Sequence, residues 1–344
     1  MTLLADYTTL GLGGPAKAFT DAPAEAALID AVRAADAAGE PVLILGGGSN
    51  LVIADEGFPG TVVHVNTRGV GYAAAADGHV DVTVAAGEDW DDVVAAVVAE
   101  GLAGVECLSG IPGRAGATPI QNVGAYGHEV AEVITSVRVF DRRTSQIQVI
   151  PNGSCHFAYR TSFFKQHPAR YAVLAVTFRL TGDALSMPVK YAELAAELDV
   201  HLGERAGVGE VRSGVLKIRA RKGMVLNPGD PDTRSAGSFF TNPLLDAEQF
   251  ARVTAAAAVP VPRFDAGDKV KVPAAWLIEH AGFGKGYGAP GRARVSSKHT
   301  LALINAGGAT TTDLLTLARE IRDGVRATFG VTLDPEPTLI GVAL

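Results

Sequence analysis

With 344 residues the chain is longer than one ordinary core, and its length fits two or three domains. Hydrophobic residues at 47% against charged residues at 19% exclude a mainly disordered chain. The formal charge of −7, from 30 basic and 37 acidic residues, argues against wholesale nucleic-acid binding while leaving room for local basic sites for anionic ligands. Two cysteines, Cys107 and Cys155, are too few for a disulfide framework and read as buried thiols. The 40 glycines follow no Gly-X-Y period, so the surplus belongs to turns and close backbone approaches. No stretch reaches the roughly 18 consecutive apolar residues of a membrane helix. The opening MTLLADYTTL has no basic stretch leading into an apolar core. A cytoplasmic protein without membrane insertion is therefore expected, and Asn152-Gly153-Ser154 reads as a turn rather than a glycosylation site.

The first predicted element is a helix with Pro23 at an N1-like position, Ala27, Leu28, Ala31 and Val32 at helical spacing and Gly39 at its stop. The apolar run Val42 to Leu45 then predicts a buried strand entering Gly46-Gly47-Gly48-Ser49-Asn50, and Thr61 to Val65 a second strand. From about Gly71 the pattern changes. Val80, Val82 and Val84 alternate as a half-buried strand does, and Asp89 to Gly101 carries acids in its first turn and valines on one helical face. Strands are predicted at Val133 to Phe140 and Tyr171 to Leu180, and a helix at Gly209 to Lys222. The breakers from Asn227 to Asp232 suggest a boundary. Helices follow at Asp246 to Val259, Pro273 to His280 and Thr312 to Phe329, with a final strand at Thr338 to Leu344.

Two glycine-rich loops carry the first functional signal. A backbone approaches a pyrophosphate closely only where side chains are absent, and successive N–H groups of a glycine turn form an anion nest. Gly46 to Asn50 meets that need directly after a strand, although an isolated glycine run is also an ordinary tight turn. The second loop, Gly110 to Gly127, interleaves five glycines and two prolines with Gln, Asn and Thr. It reads either as an ordered polar cradle for a flat ring or as a structural loop with turns. Matches to G-x-G-x-x-G/A at Gly11-Gly13-Ala16 and Gly284-Gly286-Ala289 lack a βαβ setting, and no Walker G-K-[ST] loop occurs.

Three constellations could carry chemistry. Tyr159 to Lys165 places two cations and three hydroxyls in seven residues, and Arg160 there could clamp a carboxylate bidentately or simply end a surface helix. In Gly237-Ser238-Phe239-Phe240-Thr241-Asn242-Pro243 a lone hydroxyl precedes two apolar rings, as a turn serine or as a catalytic acid or nucleophile, without a hydrolase elbow. Asp334-Pro335-Glu336-Pro337 holds a carboxylate on a restricted backbone, suited to a positioned group as well as to a solvent-facing turn. The eight histidines show no metal-ligand spacing, so no catalytic metal is expected.

Taken together and in order, GGGSN, IPGRAGATPIQNVGAYG, YRTSFFK, GSFFTNP and the final EP resemble the UDP-N-acetylenolpyruvoylglucosamine reductase family from about Thr8 to Gly341. The resemblance implies an α+β protein with the FAD-binding fold of the vanillyl-alcohol oxidase type and a C-terminal α+β substrate domain. The division it implies is 1–70 with 332–344 and 71–222 as two FAD-binding subdomains, and 223–331 as the substrate domain. It implies an oxidoreductase of peptidoglycan precursor synthesis, with NADPH as hydride donor and a UDP-sugar as substrate, acting as a cytoplasmic monomer. Gly46, Gly47, Gly48, Ser49 and Asn50 would then hold the pyrophosphate of FAD. Ile111, Pro112, Gly113, Gly116, Ala117, Gln121, Asn122, Gly124, Ala125, Tyr126 and Gly127 would wrap the flavin. Leu51 stands where related oxidases place an attaching histidine, so FAD is expected to be non-covalent. Arg160, Ser238 and Glu336 match the catalytic positions: Ser238 as proton donor, Arg160 and Glu336 at the substrate carboxylate. Tyr159, Lys165, Lys222 and Asn242 match substrate contacts.

Met187 to Leu194 resembles the loop of one subtype of that family, in which a tyrosine, here Tyr191, closes over the substrate diphosphate; packing at a helix start is the plain alternative. The chain departs from the family pattern at Thr241, where a lysine is usual, which leaves open how Ser238 is tuned. Another flavin oxidoreductase on the same fold, or a nucleotide-binding protein without turnover, are the rival readings. Glycines such as those from Gly282 to Gly291 are left without an assignment.

Overall fold

The computed structural model describes all residues from 1 to 344. The chain divides into two compact units, one of Ala16–Gly47 with Pro59–Arg221, the other of Met1–Pro15, Gly48–Phe58 and Lys222–Leu344.

The first unit is built on two sheets. Its smaller sheet places Phe58–Val65 between Ala16–Ala22 and Val42–Leu45, the latter pair running parallel. Beside it lies the helix Glu25–Ala37, which buries Leu28, Ile29, Val32 and Ala35. Its N-cap is Ala24, in extended conformation, so Pro23 precedes the cap instead of occupying the first turn. Gly39, at φ 66°, ends the helix in the left-handed region that favours glycine.

The larger sheet is antiparallel, in the order Gln146–Pro151, Ile134–Asp141, Tyr171–Thr181, His79–Ala85 and Val70–Ala74. Val82 and Val84 are fully buried, as their alternation predicts. The outer strands Val70–Ala74 and Gln146–Pro151 are mostly exposed and carry no clean apolar alternation. The helix Trp90–Ala99 starts where Asp89 accepts the Asp91 N–H and buries Val93, Val94, Val97 and Val98. A smaller cluster of Cys107, Val189, Leu194, Ala195, Val211, Val215 and Ile218 packs the helix Val208–Arg221 against the short helix Ala192–Leu198.

In the second unit Thr338–Ile340 pairs in parallel with Leu51–Ile53. The final strand is thus shorter than the apolar run to Leu344 suggests, because Gly341 at φ 70° turns the chain out of the ladder. The helix Thr311–Phe329 opens on a capping box of Thr310 with Asp313, closes at Gly330, and buries Leu314, Leu317, Ile321 and Val325. Ala247–Ala256 also has a capping box, Asp246 with Gln249, and stops before Val259 because the approach to Pro260 disfavours helix. With Ala274–His280 these helices enclose a core that includes Phe239, Phe240, Val253, Leu277 and Ile321. No helix is long and apolar enough to cross a membrane.

Candidate functional site

The turn after Val42–Leu45 demands its glycines. At Gly47 a Cβ would stand 2.7 Å from the Cα of Gly113, so the turn and the long loop meet backbone to backbone. Gly48 has φ 59°, and a Cβ there would run into the carbonyl of Tyr7. Next to Gly46 lies the side-chain stem of Arg114, whose Nε is buried without a hydrogen-bond partner and whose Nη1 is 3.9 Å from Asp89. A side-chain-free turn next to a buried guanidinium N–H lacking an acceptor fits the diphosphate of a dinucleotide.

Several bonds to residues 86–91 hold the long loop. The N–H of Gly110 donates to Asp91 Oδ1 at 2.6 Å, that of Trp90 to the Gly113 carbonyl at 3.0 Å, and those of Ala115 and Gly116 to Glu88 and Ala86 at 2.9 Å each. A Cβ on Gly116 would approach that of Ala86 to 2.5 Å. Ala117 is exposed, whereas Ile111, Pro112, Gly113 and Gln121 are half-buried. Asn122 is buried and its amide is engaged by the protein: Nδ2 donates to Glu129 at 2.6 Å and to Ala158 O at 3.2 Å, and Oδ1 accepts the Ala131 N–H at 3.1 Å. It shapes the loop through its side chain.

The loop ends in a hairpin not apparent from composition. Gly124 pairs with Glu129 and Ala125 with His128, leaving Tyr126 and Gly127 as a two-residue turn with φ 52° and 84°. Arg160 anchors this hairpin. Its Nη2 donates to Gly124 O at 2.7 Å and its Nη1 to Asn122 O at 3.5 Å, and Gly124 permits the approach because a Cβ there would lie 3.2 Å from Nη1. The backbone of Arg160 is left-handed, at φ 55°. It precedes the helix Phe163–Gln166, capped by Ser162, and therefore does not end a helix. The guanidinium lies 5.5 Å from the Tyr159 ring centroid, and Lys165 Nζ donates to the Arg160 carbonyl at 3.0 Å. Tyr159, Arg160 and Lys165 thus form one local cluster.

Tyr191 caps the helix Ala192–Leu198 with its backbone, is 43% exposed, and meets Tyr126 edge to face at 5.5 Å. Burial pushes the Tyr126 phenol up to about 12, against the opposing charge of Arg219, to which it is hydrogen-bonded. Arg219 is itself buried on the helix Val208–Arg221; burial lowers its pKa, opposed by Tyr126 and Asp91. Sequence reasoning missed Arg219, Asp91 and the fully buried Glu106, because nothing distinguishes a buried charge from a surface one until its partners are placed.

In the second unit the chain brings Ser238, Glu336 and Asn50 together. The N–H of Glu336 donates to Phe239 O at 2.9 Å, and that of Phe239 to Leu301 O at 2.7 Å. Asn50 Nδ2 donates to Glu336 O at 3.4 Å, and the Thr338 N–H to Asn50 O at 2.9 Å. Ser238 and Glu336 are both half-buried, next to fully buried Phe239 and Phe240. Asn242 Oδ1 accepts the Ala274 N–H at 2.8 Å, at the start of the helix Ala274–His280. Thr241, lacking the positive charge of a lysine, donates through its hydroxyl to Asp334 O at 3.4 Å. Lys222 is half-buried and follows the helix ending at Arg221. The turn Ser296–Ala302, absent from the sequence-derived candidates, reaches this site through Leu301. It is held by Ser297, whose N–H and Oγ donate to Asp232 at 2.9 and 2.5 Å, and by the ion pair of Lys298 with Asp230.

Comparison with known proteins gives the family. Residues 16–150 match an FAD binding domain, and residues 230–340 match the UDP-N-acetylenolpyruvoylglucosamine reductase C-terminal domain. The chain is 56% identical over 348 residues to a UDP-N-acetylenolpyruvoylglucosamine reductase of Thermobifida fusca, covering 99% of this chain and 97% of that protein. It is also 56% identical over 349 residues to that of Streptomyces coelicolor, covering 99% and 90%. Among solved structures it resembles UDP-N-acetylenolpyruvylglucosamine reductase from Thermus caldophilus, with a TM-score of 0.65 and 26% identity over 98% of this chain and 97% of the other.

Proposed function

The chain belongs to the UDP-N-acetylenolpyruvoylglucosamine reductases, and from that premise we propose that Ser238, Glu336 and Arg160 carry its reaction, with NADPH as the hydride donor. It is an FAD-dependent oxidoreductase that reduces UDP-N-acetylenolpyruvoylglucosamine in peptidoglycan synthesis, on the FAD-binding fold expected from its sequence. When bound, FAD supplies the hydride that adds to the enolpyruvyl methylene carbon.

That addition leaves negative charge on the adjacent carboxylate as an enolate. Arg160 faces this charge with a guanidinium whose stabilising effect is larger in a dry site than in water. Glu336 engages the same carboxylate in its protonated form, because two bare carboxylates repel. Ser238 donates its hydroxyl proton to the α-carbon, and the saturated lactyl ether results. The observation that carries this reading is the pair of backbone hydrogen bonds that seats Phe239, next to Ser238, between Glu336 and Leu301. It supports a serine whose backbone neighbour is held in register with the segment that carries Glu336, which a loosely held turn would not have.

Gly46 to Asn50 hold the diphosphate of FAD, with Arg114 added to that set on the strength of its buried Nε. Ile111, Pro112, Gly113, Gly116, Ala117, Gln121, Asn122, Gly124, Ala125, Tyr126 and Gly127 flank the flavin, Asn122 by shaping the loop. FAD is non-covalent in this reading: Leu51 follows the turn, and His64 is taken up by Asp21 at 2.6 Å. Tyr159, Lys165, Lys222 and Asn242 contact the UDP-sugar, Asn242 through its amide nitrogen because its oxygen serves the Ala274 N–H. Tyr191 closes over the diphosphate. The three-part division at 70, 222 and 331, the monomeric state and the cytoplasmic location belong to the same reading.

Stopped-flow absorbance tests it. NADPH is expected to bleach the oxidised flavin, and the UDP-sugar to restore it; a chain that binds FAD yet shows no substrate-dependent reoxidation refutes the assignment.

A further inference from the structure

His128 is not among the residues assigned above, yet it is 2% exposed and both of its ring nitrogens are engaged. Nε2 is 2.9 Å from the carbonyl of Pro188, and Nδ1 is 2.9 Å from Glu132 Oε2. Lys190 Nζ stands 3.5 Å from Nδ1 and 3.4 Å from the same carboxylate oxygen. Carbonyl and carboxylate are both acceptors, so each ring nitrogen has an acceptor within hydrogen-bond distance. Glu132 completes the arrangement. Burial raises its pKa, but the bonds and charges of His128 and Lys190 outweigh that and hold it below the usual carboxylate range.

The two ends of this link matter. His128 sits on the hairpin whose turn is Tyr126-Gly127 and whose Gly124 carbonyl receives Arg160. Pro188 lies three residues before Tyr191. The same stretch is fixed elsewhere: the Met187 N–H donates to buried Glu106 Oε1 at 2.6 Å, the Val189 N–H to Glu204 O at 2.8 Å, and the Val189 side chain is 1% exposed. Those bonds tie the loop to other segments. The imidazole ties it to the hairpin, beside the Lys190–Glu132 ion pair and the Tyr126–Tyr191 ring contact, and Gly127 leaves room for the approach, since a Cβ there would lie 2.7 Å from Lys190 Cβ.

We propose that His128 is a positioning residue for substrate binding: by bonding Pro188 O to Glu132 it fixes the Tyr191 loop against the hairpin and sets Tyr126 and Tyr191 edge to face. The proposal rests on the reading that Tyr191 closes over the UDP-sugar diphosphate. Its consequence is a binding effect without an effect on flavin reduction by NADPH.

The test uses the FAD-loaded enzyme with His128→Gln, Glu132→Gln and Tyr191→Phe. A glutamine cannot bond both ends at once, so His128→Gln is expected to raise KM for the UDP-sugar roughly tenfold, as loss of one charge-assisted hydrogen bond would. It leaves kcat and flavin reduction by NADPH unchanged, and speeds amide hydrogen exchange at Lys190 and Tyr191. An unchanged KM, or an equal fall in both half-reactions, overturns the proposal. Should His128→Gln fail to fold, Glu132→Gln reads the link from its other end: a raised KM with intact flavin reduction supports it, and an unchanged KM overturns it. Tyr191→Phe separates the two levels. If it leaves KM unchanged, the reading of Tyr191 fails and the inference with it; if it raises KM while His128→Gln does not, the role of His128 alone is overturned.

Discussion

Glu336 donates its backbone N–H to the carbonyl of Phe239 at 2.9 Å, joining two segments separated by almost a hundred positions. The bond registers the restricted Pro335-Glu336-Pro337 stretch against the residue that follows Ser238. Proton delivery from a weak acid such as serine depends on such registration, since misplacement by a fraction of an ångström costs rate.

Ser238→Ala is therefore expected to leave the NADPH half-reaction intact and to slow reoxidation by the UDP-sugar by roughly 10²- to 10⁴-fold, the usual range for removing a general acid. Single-turnover flavin absorbance in each direction measures both rates. Equal loss in the two would show a structural role instead.

Arg160→Lys keeps a positive charge but loses the fork that bonds Gly124 O and Asn122 O together. The substitution should lower kcat with the UDP-sugar by about 10²- to 10³-fold, as for loss of one donor to a developing oxyanion. Flavin content should be retained, as measured from the ratio of flavin to protein absorbance. A variant with full kcat would remove Arg160 from the chemistry.

Much of this architecture is legible in the sequence, for a physical reason. The helices Glu25–Ala37, Trp90–Ala99 and Thr311–Phe329 each bury one stripe, and periodicity reports that directly. The edge strands Val70–Ala74 and Gln146–Pro151 are not legible, because exposure removes the apolar alternation. The glycine turn and the order of the five motifs point to an FAD enzyme. The hairpin of Tyr126 and Gly127 is hidden inside a loop, because a tyrosine at φ 52° breaks the expectation that such turns hold Asn, Asp or Gly. Partners distant in sequence, such as Asp91 for Arg212, depend on the tertiary fold and have no local signature.

Gly48→Ala tests the diphosphate turn. The position combines φ 59° with a Cβ directed at the Tyr7 carbonyl, so the chain must shift to admit a methyl group. A stability loss of roughly 1–3 kcal/mol is expected, together with weaker FAD retention on dialysis. Gly153→Ala, where nothing lies within 4 Å of the added atom, serves as the neutral control.

Asp91 links the helix Trp90–Ala99 to the start of the flavin loop and to the helix Val208–Arg221, accepting from Gly110 N–H and Arg212 Nη1 at 2.6 Å each. Burial raises its pKa, but the Arg212 guanidinium and the Gly110 N–H outweigh that and hold it below the usual carboxylate value. A carboxyl depressed in the folded state contributes stability in full above its unfolded pKa of about 3.9, and loses it as pH falls through the lower native value. Asp91→Asn should therefore cost roughly 1–3 kcal/mol at neutral pH, with the gap in melting temperature to the unsubstituted protein narrowing as the pH drops below about 4. Thermal denaturation across acid pH measures this; a gap that stays constant to the lowest pH would assign the loss to packing instead of to the carboxylate charge.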